Sequence, residues 1–172
     1  MRHPARTYDY DTLEAMMMQA VADGLVNMQT GDDGLRLFCY TRAAVYDRKW
    51  TPATLMARGL ILDVQAREVV ATPFPKFFNV GELDQFIPDM PFETFSKIDG
   101  SLIIIFHHGG QWKTATKGSF RSEQAQWAKR QLDHADLDVL YPGATYLAEA
   151  VYKANRIVIH YDNEGLILLG GY

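Results

Sequence analysis

The segment Phe95-Ser96-Lys97-Ile98-Asp99-Gly100-Ser101 holds the residues best suited to covalent chemistry. Lys97 and Asp99 are one residue apart, so an extended backbone presents both side chains on one face. Gly100 permits a tight turn and lets a ligand approach the main chain closely. A lysine amine can attack as a nucleophile, but only when neutral. An ordinary lysine, with a pKa near 10.4, is only about 0.04% neutral at pH 7. The reaction therefore calls for neighbouring cations and desolvation, both of which favour the uncharged amine. Arg58, Lys76 and Lys117 are candidates for the positive field, and Ile98 with the apolar run 102–106 for the desolvation. A bound polyphosphate would oppose them by favouring the ammonium. A divalent cation such as Mg²⁺ resolves that conflict by screening phosphate charge and assisting a leaving group. No protein ligands for it can be named from the sequence.

Each of these residues has a plainer reading. Taken singly, Arg58 and Lys76 also suit exposed strand ends, and Lys117 suits a solvated hairpin. Glu149 lies inside an apolar strand, where a carboxylate needs a partner or a function. Phe77 and Phe78 read as core residues, and Cys39 as a buried strand residue. His107 and His108 sit beside a Gly-Gly turn and read as turn residues.

The elements that must position these groups are legible in outline. Asp11 can cap a helix over 11–24, with Glu14 completing a capping box and Gly24 closing it. Leu13, Met16, Met17, Ala20 and Val21 share one face of it. Residues 27–34 read as a loop. Short β-rich runs come next at Leu35 to Tyr40, Leu60 to Asp63, Val69 to Thr72 and Phe92 to Lys97. Ser101 to His107 and Gln111 to Lys117 form the clearest hairpin, with Lys113, Ala115 and Lys117 on one face. Ser119 or Ser122 can cap a helix running to about Asp133. Strands at Thr145 to Val151, Arg156 to Tyr161 and Leu166 to Leu169 close the chain. The pattern predicts an α+β fold built on antiparallel sheets.

The chain has 172 residues and a net charge of −4, ordinary for one globular domain. That charge is unevenly spread. Residues 97–130 carry 6 basic and 2 acidic groups, while the flanking stretches are acidic. This predicts a local anion site rather than a general nucleic-acid coat. A single cysteine excludes an internal disulfide. With no membrane-length apolar run and no apolar leader behind the N-terminus, a cytoplasmic protein is expected. The ending Gly170-Gly171-Tyr172, directly after an apolar strand, predicts that the fold continues in further sequence or in another chain.

The pattern Lys97-x-Asp99-Gly100-Ser101 resembles motif I of the covalent nucleotidyltransferases, the ATP- and NAD-dependent polynucleotide ligases and messenger-RNA capping enzymes. Arg58-Gly59-Leu60-Ile61-Leu62-Asp63 is similar to the strand ahead of that motif. Pro75-Lys76-Phe77-Phe78-Asn79 is similar to an element of phage-type RNA ligases. Thr116-Lys117-Gly118-Ser119 with Ser122-Glu123-Gln124 resembles another of their segments. Tyr146-Leu147-Ala148-Glu149-Ala150 resembles their motif III, and Asn155-Arg156-Ile157-Val158 resembles the run that succeeds it in those enzymes. Five segments in order favour the RNA ligases that seal broken transfer RNA.

That resemblance implies a single nucleotidyltransferase (adenylation) domain over residues 1–172, with the nucleotide in a groove between sheets. It implies ATP and Mg²⁺ as cofactors, Lys97 as the residue that takes AMP, and Asp99 as its orienting partner. Arg58 and Lys76 would grip the triphosphate and Lys117 the nucleotide phosphate. Glu149 would accept from ribose hydroxyls, Gly100 would admit the ligand, and Phe78 would shape the pocket. The implied partner is RNA with 5′-phosphate and 3′-hydroxyl ends, with no membrane. Two later family motifs, a glutamate-glycine strand and a lysine pair, have no match within these 172 residues, and a C-terminal RNA-specificity domain is not expected among them. A piece of a longer ligase, one half of a split enzyme completed by a partner chain, and a non-catalytic module that binds nucleotide or RNA ends all fit that gap.

Overall fold

Side-chain alternation along four apolar strands sets the architecture. On one strand Leu60 and Leu62 join a core with the first helix, while Ile61 between them joins a different core. On another, Ile104 and Phe106 share the core of Ile61, while Ile103 and Ile105 pack with Ala128 and Leu132 of the last helix. A period of two with both faces apolar requires a layer on each side of each sheet. The result is four layers, helix–sheet–sheet–helix, with the middle core between the sheets.

The computed structural model describes residues 2–82 and 89–172. The first sheet contains β1 (Val26–Thr30), β2 (Leu35–Tyr40), β3 (Arg58–Asp63) and β4 (Glu68–Ala71), paired antiparallel in that order. The second contains β5 (Ser101–His108), β6 (Gln111–Thr116), β7 (Tyr146–Val151) and β8 (Gly165–Gly171), in the order β6-β5-β7-β8. Helix α1 (Tyr10–Ala22) covers the first sheet, helped by the short helix α3 (Pro52–Met56). Another short helix, α2 (Arg42–Tyr46), comes after β2, and α4 (Glu123–Leu132) covers the second sheet. The middle core is made of Leu35, Leu37, Ile61, Ala71, Ile104, Phe106, Ala115 and Leu147, all essentially sealed from water. Each large side chain buried there is worth roughly 1.5–3 kcal/mol, so the two sheets are held together chiefly by this layer. This is the α+β antiparallel fold that the strand pattern predicts. Among the described residues no helix is long and apolar enough to cross a membrane.

Several local expectations are corrected. Helix α1 is capped by Asp9, whose side chain accepts from the Thr12 N–H at 2.8 Å, rather than by Asp11. Glu14 does not close a capping box; it pairs with Arg36 at 2.8 Å. Residues 27–30, the first half of the stretch expected as loop, belong to β1, an edge strand whose exposed positions carry Asn27 and Thr30. Residues 92–97 are not a strand. Phe92 and Phe95 are exposed, and without a neighbouring strand β propensity alone does not make a ladder. Residues 156–161 likewise carry no strand.

Candidate functional site

The core between the sheets opens at one end into a cleft of about 1570 Å³. Arg58, Lys76, Lys97, Gly100, Lys117 and Glu149 all line it. They come from the start of β3, the segment after β4, the turn before β5, the end of β6 and the middle of β7. Apolar walls are supplied by Phe74, Leu102, Leu168 and Tyr172.

Two glycines allow this convergence. Gly59 has φ +104°, and a Cβ there would lie 2.3 Å from Ile104 Cδ1 and 3.0 Å from Lys117 Cα. Only glycine lets β3 come this close to the second sheet. The ladder between β2 and β3 also shifts register at Phe38/Cys39, opposite this point. Strict alternation would send Arg58 to the α1 side with Leu60; the break in extended backbone at Gly59 puts it on the cleft. Gly100 is the second case, since a Cβ would meet the Ala150 carbonyl oxygen at 2.5 Å and Glu149 Cγ at 3.0 Å. The turn before β5 therefore sits directly on β7, with Leu102 registered opposite Glu149.

Charge in the cleft is one-sided. Burial pushes the Glu149 carboxyl up, while the Lys97 ammonium, the Gly100 N–H and the Arg58 guanidinium pull it back. Burial also pushes the Cys39 thiol up, against the fields of Lys117 and Arg58. Cys39 and Glu149 thus mark out the space shared by the three cations. Among the described residues no carboxylate lies within 4.0 Å of Arg58, Lys97 or Lys117, although Lys76 reaches Glu82 at 3.8 Å. Aromatic rings hold the cationic side chains instead. The Arg58 guanidinium lies 5.0 Å from the Phe77 ring centroid, Lys117 Nζ lies 5.8 Å from that of Tyr40, and Lys76 Nζ lies 3.8 Å from that of Phe78.

The remaining expectations are met unevenly. Phe78 packs on Trp50, 5.2 Å between centroids, and beneath Lys76; it supports that lysine and does not line the cleft. Lys97 is exposed, so the desolvation expected from Ile98 and β5 does not reach it. Asp99 does not pair with Lys97. One of its carboxylate oxygens accepts from the N–H groups of both Val158 and Ile159 at 2.8 Å, and these hold it below the usual carboxylate range. Residues 92–99 form no strand, and of the two side chains only Lys97 lines the cleft. The basic stretch 97–130 is not one anion site either. Lys113 pairs with Asp33, Arg121 with Asp32 and Lys129 with Asp133, and Arg130 is exposed on α4, so only Lys97 and Lys117 of the six line the cleft.

Some residues near the site were not anticipated. Asn155 donates to the Ala150 carbonyl at 2.9 Å and accepts from the Ser101 hydroxyl at 3.0 Å, tying the segment after β7 to the start of β5. Its place beside Arg156 in the Asn155-Arg156-Ile157-Val158 run was the available signal. Arg2 also lines the cleft, and nothing in its sequence neighbourhood marked it. Among the described residues no group of three or more His, Cys, Asp or Glu side chains could hold a metal ion, so the expected Mg²⁺ has no protein site to be assigned.

Residues 56–171 match the family model described as RNA ligase. A curated relative, named "Putative bifunctional polynucleotide kinase/RNA ligase" in Autographa californica nuclear polyhedrosis virus, is 31% identical over 141 residues, covering 66% of this chain and 20% of the relative. The chain thus spans about a fifth of that relative's length. Since the matched stretch takes in Arg58, Lys76, Lys97, Lys117 and Glu149 together, the chain belongs to the phage-type RNA ligase family.

Proposed function

We infer that this chain carries the nucleotide-transfer chemistry of an ATP-dependent RNA ligase. The observation that carries this reading is the meeting of Arg58, Lys76, Lys97, Lys117 and Glu149, from five separate segments, on one cleft. A cationic cleft with apolar walls suits a nucleoside triphosphate, whose phosphates take the cations and whose base takes the apolar side. Arg58, Lys76 and Lys117 bind the phosphates, and Arg58 suits paired oxygens because its donors form a fixed fork. Glu149 accepts from ribose hydroxyls, as acidic residues do in other nucleotide sites.

In this reading the neutral Lys97 amine attacks the α-phosphorus of ATP. A nitrogen–phosphorus bond forms, the bond from α-phosphorus to the bridging oxygen breaks, pyrophosphate departs, and the amine releases a proton to solvent. The AMP then passes to the 5′-phosphate of an RNA, and a 3′-hydroxyl displaces it to seal the strand. Mg²⁺ would supply charge screening on the phosphates, but we assign it no residue.

The test is incubation of the chain with radiolabelled ATP and Mg²⁺, then a denaturing gel. An acid-labile label on the protein is expected, falling by at least about a hundredfold in Lys97→Ala. Label retained by Lys97→Ala would remove Lys97 from its role. Saturable ATP or RNA binding with no label would instead favour a module that binds nucleotide or RNA ends.

A further inference from the structure

Asp99 stands between the main cleft and a smaller cavity of about 230 Å³. Lys153, Arg156, His160 and Tyr161 line the smaller one together with Asp99. The wall formed by 156–161 is suspended from Asp99 itself. Besides the two bonds from Val158 and Ile159 to its carboxylate, the Asp99 N–H donates to the Tyr161 hydroxyl at 2.9 Å. Arg156 is aimed by a bond from its Nε to the Val158 carbonyl at 3.4 Å, which leaves its two terminal nitrogens without a partner among the described residues. Among the described residues no carboxylate lies within 4.0 Å of the Arg156 guanidinium or of Lys153 Nζ, although the Lys153 N–H donates to Glu164 at 3.0 Å and His160 has Asp162 at 3.6 Å. Among the described residues Asp99 is the one carboxylate lining the cavity, and its carboxylate accepts from backbone N–H groups.

Two cations and a histidine around a space this small suit a single phosphate group, not a whole nucleotide. The position adds a second constraint, because Asp99 is two residues from Lys97. We propose that this cavity is a subsite for the 5′-terminal phosphate of an RNA strand, bound by Arg156 and Lys153 and kept beside Lys97 by the bonds between Asp99 and the 156–161 segment. This rests on the ligase reading, since it is that chemistry that brings a 5′-phosphate to the lysine. Asp99 then acts as a positioning residue for the RNA end and not for the lysine.

The experiment measures binding of short fluorescent oligoribonucleotides, one 5′-phosphorylated and one 5′-hydroxyl, to the full chain by anisotropy. The phosphorylated strand is expected to bind about tenfold more tightly. Arg156→Ala and Lys153→Ala should bring that ratio close to one, and Arg156→Lys should keep part of it. A thermal melt of each variant identifies any that fail to fold, and Arg156→Lys then carries the test. An unchanged ratio in folded Arg156→Ala would overturn the proposal. So would weaker ATP binding in that variant with the ratio intact, which would give the cavity to the triphosphate. A wild-type chain that takes label from ATP but shows no 5′-phosphate preference loses the subsite alone. One that neither takes label nor binds RNA loses the ligase reading as well.

Discussion

The two ends of the core between the sheets differ in how charge is treated. At the end away from the cleft, β3 finishes with Asp63, β5 with His108, and β6 begins near Lys113. His108 Nε2 lies 2.9 Å from Asp63, Lys113 pairs with Asp33, and the Asp63 carboxylate also accepts from the Gln65 and Ala66 N–H groups at 2.8 and 2.9 Å. At the other end Arg58 at the start of β3, Lys117 just after β6 and Lys97 ahead of β5 line the cleft, with no carboxylate within 4.0 Å of them among the described residues. Charges of opposite sign meet at one end and are withheld from each other at the other. Paired charge there joins the sheets; unpaired positive charge in a cleft has no structural use and is costly to assemble, so it marks where an anionic ligand belongs.

The strongest way to break this contrast is to fill the contact that creates the cleft. Gly59→Val places a branched side chain at φ +104° and against Ile104 Cδ1, 2.3 Å from where its Cβ must go. A loss of about 3 kcal/mol or more is expected. In a chain of this size that is roughly 10 °C in Tm, measurable by calorimetry. An unchanged Tm would mean that the sheets can part here at little cost and that Gly59 is not what places Arg58 on the cleft.

A second measure probes the cleft wall through His3. This side chain is fully buried, accepts from the Ala5 N–H at 3.0 Å and packs edge-on to Tyr172. Burial lowers its pKa to about 4, against a weaker pull upward from the Pro73 carbonyl. The unfolded chain, with histidine near 6.5, therefore binds the proton first as pH falls. The stability contribution is intact above pH 6.5 and is lost on the way down to about pH 4, by on the order of 3 kcal/mol. Urea titrations across that range should show the slope, and His3→Phe should flatten it.

The smallest effect sharpens the comparison from the far end. Asp63→Asn weakens the link to His108 and should cost about 1–2 kcal/mol in unfolding free energy. The label that Lys97 takes from ATP should stay within twofold of wild type. A large fall in label would show that the two ends are coupled and that the division of labour is false.

How much of the molecule is legible in its sequence depends on the kind of signal. The apolar face of α1, the β5–β6 hairpin, β7 and α4 each carry periodic patterns, and the fold obeys them closely. Asp9 and Asp11 are equivalent caps on paper; only the path of the chain selects Asp9. β1 was hidden because an edge strand with Asn27 and Thr30 outward reads as a loop. The stretches 92–97 and 156–161 show the reverse error, since aromatic and β-branched residues suit a strand only where a neighbour is available to pair. Within the candidate site, residue types gave the cations and Glu149. The partner of Asp99 was not legible, because its two bonds run to backbone groups about sixty residues away, and a backbone N–H carries no sequence label. The close approach at Gly59 was equally hidden, as its clash partners lie on other strands.

The backbone of Lys97 contributes to no sheet ladder, and four residues later the chain enters β5, which is paired on both sides from Ile103 to Ile105. This makes the molecule mechanically abrupt at Gly100. In solvent deuterium, the main-chain protons on the Lys97 side should be replaced quickly and those of Ile103 to Ile105 only slowly. An amine carried on such a hem can change its reach between successive partners without disturbing the fabric to which it is sewn.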